Sequence, residues 1–512
     1  NGLSQFYLAL APNALKQGQV YDFVLTCSMT VGGAQSHASV LVETNAPPRP
    51  GTILVNPSNG TELVTEFEIS AAFWEDDDLP LSYSLFYIDP QSDDISVVRS
   101  RSEISFGTTK LPAGISFNDF VVSCGVQVYD SLDAISTLVD DNVVVNILVL
   151  DAQELESLVE DAVTANIINI DAMKQLIATS GSKMNTPECG LAPNCTALFR
   201  HRCSLVDHTC GKCIAGHIGA AGSHNSPCVG EKTVSNTKNA GSFCVTNADC
   251  PFSFCVNNVC LRVTEKTCPG QCSGFGKCQF VDTNTNEQLT SCSVTSTTCA
   301  AICFCEANFF GASCHLLAGD MSSIQSTRAR LVDSFKQVVL TEDLSIEGVI
   351  SWITSLKGLT QNPLELDGAT LHEVCVLIAS IVDAARDIKL PYERILPIFS
   401  IVSSIVESVK YSSAEGTSSR RRLLDDDMAM ISADSIIDAL VDDMVIGQDN
   451  VYITKENFRL TAVTSTVPAG ERAIISMPQS QLEAFNAAVM PSISFSPMNT
   501  SIPLKMTLSV TA

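Results

Sequence analysis

Up to about Leu150, apolar residues fall at every second position: Tyr21, Phe23 and Leu25; Leu81, Tyr83, Leu85 and Tyr87; Val122, Cys124, Val126 and Val128; Val143, Val145, Ile147 and Val149. A period of two marks half-buried strands. Turn residues separate the runs at Asn45-Ala-Pro-Pro-Arg-Pro-Gly51, Asn56-Pro-Ser-Asn-Gly60 and Leu111-Pro-Ala-Gly114. The pattern predicts two small β-sandwich units, a partial one over 1–46 and a whole one over 47–150. At Asp151 the period becomes helical, with Leu155, Leu158, Val159, Ala162 and Val163 on one face and Glu154, Glu156 and Glu160 on the other. Helices are expected over 151–185, the second from about Asp171. The periodicity stops through a cysteine-rich stretch, 186–262 and 263–316, and resumes over 321–411 with Leu331, Phe335 and Val338, then Leu371, Val374, Ile378 and Ile381, then Ile395, Ile398, Val402, Ile405 and Val409. The expectation is one helical domain that carries a disulfide-stapled insertion at an exposed loop. A flexible loop over 412–430 follows, then a helix and a β-rich unit over 431–512, alternation returning from Asn450. Its last run reaches Ala512, which reads as a fragment or as a strand completed by a partner.

At 512 residues the chain exceeds one ordinary core and predicts three or four domains. Apolar residues make up 45% and charged ones 17%, a globular balance. A net charge of −26 excludes nucleic acid as a partner, because phosphates demand clustered Lys and Arg. No membrane span is expected: the most apolar helical stretch, Val374 to Val382, is short and meets Asp383 and Arg386. The chain opens at Asn1 without a basic segment leading into an apolar one, so a secretory signal is expected to have been removed or to lie outside this piece. The reading is an extracellular, cell-surface ectodomain made in the secretory pathway.

Eighteen of the 21 cysteines lie between Cys189 and Cys314. An even, dense cluster reads as a disulfide framework from an oxidising compartment. In its first half, Cys210-Gly-Lys-Cys213 lies near Cys228, His201, His208, His217 and His224, a set that also suits zinc. The count favours bridges. Cys189, Cys195, Cys203, Cys210, Cys213 and Cys228 make three pairs and Cys244, Cys250, Cys255 and Cys260 two more, their connectivity open. Outside the cluster, Cys27 and Cys124 either pair across two meeting sandwich units or are each buried, and Cys375 is expected to be buried and free.

The second half runs Cys268-Pro-Gly-Gln-Cys272-Ser-Gly-Phe-Gly-Lys-Cys278 and closes on Cys303-Phe-Cys305, then eight residues to Cys314 with Gly311 before it. It resembles an EGF-like domain. The resemblance implies pairing of Cys268 with Cys278, Cys272 with Cys303 and Cys305 with Cys314, leaving Cys292 and Cys299 for each other. Val263-Thr-Glu-Lys266 stands where calcium-binding members carry acidic and amide residues. In the sandwich region, Asn45-Ala-Pro-Pro-Arg-Pro-Gly51, Val55-Asn-Pro-Ser-Asn-Gly-Thr-Glu-Leu63, Phe73-Trp-Glu-Asp-Asp-Asp-Leu-Pro-Leu-Ser-Tyr83 and Val126-Gln-Val-Tyr-Asp130 resemble the receptor-for-egg-jelly (REJ) module of polycystin-1-like proteins. That family implies fibronectin-like or Ig-like sandwiches, followed by a helix-then-sandwich autoproteolysis-inducing (GAIN) domain, which the helices from 152 and 321 and the strands after 450 are similar to in order. No His-Leu-Thr or His-Leu-Ser cleavage tripeptide is present.

The run Glu75-Asp-Asp-Asp78 with Asp130 makes calcium the one candidate cofactor, through Asp76, Asp77, Asp78 and Asp130. The competing reading is a turn in which Asp bonds its own backbone. Trp74 beside it is expected in the core. Sequons place glycans at Asn59, Asn194 and Asn499. Arg420, Arg421 and Arg422 fit a solvated loop or a site for a processing protease. No HExxH, GxSxG or phosphate-binding loop occurs, and the chain reads as a non-enzyme. The expected role is adhesion or ligand recognition in a polycystin-1-like receptor, with a protein or glycan ligand. The alternative is a structural subunit of an extracellular filament such as a flagellar hair (mastigoneme), bound to copies of itself.

Overall fold

The computed structural model describes residues 8, 10, 14–28, 33, 35–91, 94–115, 118–230, 243–246, 250, 255–260, 265–283, 285, 287–412, 437, 450–454, 458–467, 473–479, 492–495 and 502–511. The chain forms two compact units, 1–90 with 95–147, and 91–94 with 148–512.

The first unit opens with an antiparallel hairpin, β1 (Val20–Ser28) and β2 (Gln35–Glu43), whose residues are largely exposed. A two-sheet sandwich follows. One sheet sets β3 (Thr52–Asn56), β5 (Glu66–Ala72) and β8 (Phe106–Lys110) side by side, with β5 in the middle. The other has the order β4 (Asn59–Thr61), β10 (Ile135–Asn146), β9 (Val121–Tyr129), β6 (Ser82–Ile88) and β7 (Ile95–Ser102). Alternation puts Val122, Cys124, Val126 and Val128 of β9 inward, where they share one core with Val55, Phe67, Ile69, Trp74, Leu85 and Leu111. Gly125, on the opposite face of β9, is required by packing: a Cβ there would stand 2.3 Å from the Phe86 ring. Ile147 and Val149, expected to continue the last strand, fall outside it. Their pairing partner β4 ends at Thr61, opposite Asn146, and both side chains are exposed.

In the second unit, α1 (Ala152–Ala165) and α2 (Ile170–Met184) pack against α3 (Ala318–Thr341), although the cysteine-rich stretch intervenes. Helix α4 (Ile346–Leu359) lies on α2, and α5 (Gly368–Asp387) lies on α3 and α4, with α6 (Ile398–Ser412) following. Local chemistry starts these helices. Asp151 and Glu154 form a reciprocal capping box on α1, and Asn169, Ser345 and Asp367 cap α2, α4 and α5.

Polar anchors fix the helices inside the core. Arg328, fully buried, donates to Glu365 at 2.6 and 3.0 Å, to the Leu359 carbonyl at 3.0 Å and to Asn185 at 2.9 Å. Lys174 reaches Glu342 at 2.6 Å, and Glu342 also accepts the Trp352 indole N–H at 2.6 Å. Helix α5 is longer than the nine-residue apolar stretch suggested. By length and composition it suffices to cross a bilayer, but half of that window is buried inside the unit, as in a core helix. Beyond α6, Val451–Thr454, Phe458–Val467 and Ile502–Thr511 form an antiparallel sheet with Phe458–Val467 in the middle, and Ala473–Ser476 pairs with Ser492–Phe495. Of the helix expected after 431, the described residues include Ile437, which is helical and buried.

Candidate functional site

The acidic run occupies the connection from β5 to β6, and Asp130 directly follows the neighbouring β9. This brings the carboxylates of Asp76, Asp78 and Asp130 within 4.8 Å of one another. Asp77 is exposed and is not among the three that converge, so it leaves the expected calcium set. Asp130 is fully buried. One of its oxygens accepts the Leu132 and Ala134 N–H groups at 2.9 Å, and the other accepts the side-chain amide of Asn45, from the linker before β3. Asp76 accepts the Asp78 N–H at 2.8 Å, and the Asp78 carbonyl accepts the Ser131 N–H at 3.0 Å. The turn reading and the chelation reading therefore describe the same residues: hydrogen bonds fix the carboxylates while three formal negative charges converge. Adjacent Arg101 lies 2.6 Å from Asp133, stacks over Tyr129 at 4.3 Å and donates to the backbone carbonyl of Asp130 at 3.4 Å. Hard oxygen donors of this kind suit calcium. Trp74 lies in the sandwich core, as its apolar ring favours.

In the first half of the cysteine-rich stretch the structure pairs Cys189 with Cys203, Cys195 with Cys210, and Cys213 with Cys228. This removes the zinc alternative, because every thiol it needed is bridged. The histidines are also dispersed. His217 stacks on Phe199 with centroids 4.7 Å apart, and His224 accepts the Ser226 N–H at 2.9 Å. Burial, aided by the charges of Arg200 and Lys266, pushes His224 down to about 3, so it stays neutral. The organiser of this half is Arg200, which the sequence pattern did not single out. Its buried guanidinium donates to the carbonyls of Ser226, Gly211, Gly222 and Ala220. Burial lowers its pKa to about 10, which leaves it charged at neutral pH.

Cys244 pairs with Cys255 and Cys250 with Cys260. In the next module Cys268 pairs with Cys278, Cys272 with Cys303, Cys305 with Cys314, and Cys292 with Cys299. Its strands Gly276–Asp282 and Cys299–Cys305 are antiparallel, with Cys278 opposite Cys303. Cys27, Cys124 and Cys375 are free, so Cys27 and Cys124 do not pair.

A Ser, His and Asp meet where these two halves touch. His315 Nδ1 lies 3.0 Å from Asp207, the Ser313 hydroxyl lies 2.9 Å from the same nitrogen, and it donates to Asp207 at 3.2 Å. A nucleophilic relay needs serine and carboxylate on opposite ring nitrogens. Here both converge on Nδ1, so the group is a strap and not a triad. Burial works against charge on His315, but the Asp207 hydrogen bond and charge overcome it and hold the imidazole above its usual range. Burial likewise opposes ionisation of Asp207, and His315, the Glu188 N–H and Ser313 hold the carboxyl below its usual range. No spacing rule joins residues 207 and 315; each disulfide stays within its own half, and non-covalent packing of the two halves brings them together, with the Gly270 N–H donating to the Thr209 hydroxyl at 3.3 Å beside them.

Of the sequons, Asn59 and Asn194 are exposed. Asn499 and the tribasic Arg420, Arg421 and Arg422 lie outside the described residues.

With this geometry in hand, comparison with known proteins gives two findings. The REJ domain family matches residues 1–177. The Polycystin family receptor for egg jelly of Mus musculus is 30% identical over 122 residues, a stretch that is 22% of this chain and 6% of that protein. The chain thus spans a small fraction of the curated relative's length. These matches, together with nine disulfides, point to an extracellular or cell-surface protein.

Proposed function

We propose that this chain is a non-enzymatic part of the ectodomain of a polycystin-1-like surface receptor, delivered by the secretory pathway, where it recognises an extracellular protein or glycan. The observation that carries the reading is the REJ match over residues 1–177 on a chain that continues into disulfide-stapled modules. Three finer assignments accompany it. The three-and-five-stranded sandwich is fibronectin-like or Ig-like, its two sheets enclosing one apolar core. Residues 268–314 are an EGF-like spacer, supported by bridges between first and third, second and fourth, and fifth and sixth of its six framework cysteines. The helices and the sheet after 450 form the body of a GAIN-like domain. Calcium at Asp76, Asp78 and Asp130 would stiffen the junction that Asn45 makes with the sandwich, since the ion would neutralise charges already held in place.

The test is sequential extraction of native cells after labelling with a membrane-impermeant biotin reagent. The receptor reading expects biotinylated protein that resists high salt and is released by detergent. Recovery in a detergent-insoluble filament fraction overturns it in favour of the filament subunit.

A further inference from the structure

Two connections meet at one end of the helical part. Gln153 donates to Asp320 at 3.2 Å and Arg330 lies 3.2 Å from Glu160, so α1 and α3 run parallel and both end on the same side. Lys174, in the second turn of α2, bonds Glu342 just past the end of α3 at 2.6 Å, which sets the α1–α2 connection beside the α3–α4 connection. These turns carry aliphatic side chains that the bundle does not bury. Ile167 and Ile168 are 77% and 93% exposed, Leu340 is 69% exposed, and Leu344 and Ile346 are 46% exposed. A single exposed leucine is ordinary on a protein surface, but five large aliphatics on two adjoining turns mark an interaction surface.

The electrostatics of this end are one-sided. Residues 161–171 and 337–348 contain Asp161, Asp171, Glu342, Asp343 and Glu347, and neither a lysine nor an arginine. Lys174 is buried and held by Asp171 and Glu342. A helix C-terminus carries partial negative charge, which a basic side chain in the last turn offsets. Helices α2, α4 and α5 have one there, Lys183, Lys357 and Arg386. Helices α1 and α3 have none, and these are the two that end at the exposed aliphatics.

We propose that this end of the bundle, Ile167, Ile168, Leu340, Leu344 and Ile346 with Asp343, binds a segment of another protein that presents apolar side chains next to lysine or arginine. The partner's apolar groups cover the aliphatics, and its cations supply the positive charge that the ends of α1 and α3 lack. The same pattern selects against other occupants. A second copy of this chain brings a net charge of −26 and an anionic bilayer brings phosphates, so each sets negative charge against negative charge. The surface does not rest on the receptor reading, because its charges and exposures are the same in a filament subunit.

The test is fluorescence anisotropy of the 512-residue chain with two labelled peptides at physiological salt, one built of lysines and leucine pairs, the other with glutamate in place of each lysine. The lysine–leucine peptide binds and the glutamate–leucine peptide does not. Ile168→Lys and Leu340→Lys each weaken binding about tenfold or more, because each removes an aliphatic contact and adds like charge. Leu191→Lys makes the same charge change at an exposed leucine of the cysteine-rich stretch and leaves binding within about twofold. Hydrogen exchange in the bound chain slows within 163–172 and 337–348. Absence of binding, or slowing confined to other peptides, overturns the proposal. So does equal loss in all three variants, since attraction to an acidic chain as a whole then explains the binding. Dimers that Ile168→Lys dissolves overturn it in favour of a second copy, and binding that appears only after Arg420, Arg421 and Arg422 are replaced by Ser overturns it in favour of the chain's own tribasic run.

Discussion

Replacing Arg328 by Met should loosen the helical core around the inserted modules, and the structure sets the size of the effect. Methionine keeps most of the side-chain volume but removes the donors to Glu365, Asn185 and the Leu359 carbonyl. Arg328 has no exposed surface and the Glu365 side chain is 11% exposed, so a carboxylate is left charged and almost dry. Breaking one side of a buried pair costs about 3–5 kcal/mol. Asn185 caps α2 just before the cysteine-rich stretch and Arg328 lies on α3 just after it, so the loss should be read at the ends of the insertion. Hydrogen exchange by mass spectrometry on peptides covering 176–185, 325–335 and 353–360 measures local opening without assuming two-state unfolding of a multidomain chain. The expected acceleration is about 10²- to 10⁴-fold. The double variant Arg328→Met/Glu365→Leu, which leaves no orphan charge, should recover most of it. A single variant within about 1 kcal/mol of the parent, or a double variant no better than the single, would refute the reasoning.

Three further outcomes follow from other sites. The His315–Asp207 strap has a folded histidine pKa above 6.5 and a folded carboxyl pKa below 3.8, so its histidine contribution is complete below pH 6.5 and fades as pH rises through the raised value, while the aspartate contribution is present above pH 3.8 and fades in acid. Proton NMR of the His315 ring should show titration above 6.5, and Asp207→Asn should return it toward 6.5 or below; a parent ring titrating at or below 6.5 would contradict the pairing. Calorimetric titration with calcium should give heat that Asp76→Asn/Asp78→Asn abolishes, with an unchanged signal counting against the carboxylate site. Replacing Cys272 and Cys303 together by Ala should cost about 3.7 kcal/mol, because the loop they close spans 31 residues, whereas removing the seven-residue Cys292–Cys299 bridge should cost about 2.4 kcal/mol; hydrogen exchange within 265–316 that ranks them the other way would defeat the loop-closure account.

Much of this protein was legible locally. Alternation at Leu81–Tyr87 and Val122–Val128 located β6 and β9, and Asp151 with Glu154 located the start of α1, because each signal acts within a few residues of itself. An even cysteine count implied bridges, but parity is blind to partners. In the first half the pairs Cys189–Cys203, Cys195–Cys210 and Cys213–Cys228 emerged only with the fold. The acidic run was visible as charge, yet only folding separated exposed Asp77 from Asp76 and Asp78 and brought in Asn45, remote in sequence from Asp130. Arg200 and the Asp207–Ser313–His315 group carry no local signature at all. An arginine that binds four carbonyls, and a histidine charged by a carboxylate in another disulfide loop, owe their roles to desolvation and proximity. Strand, helix and turn tendencies are short-range properties written in residue order, whereas burial and partner choice belong to the three-dimensional packing, which alone decides which charges meet and which thiols are spent.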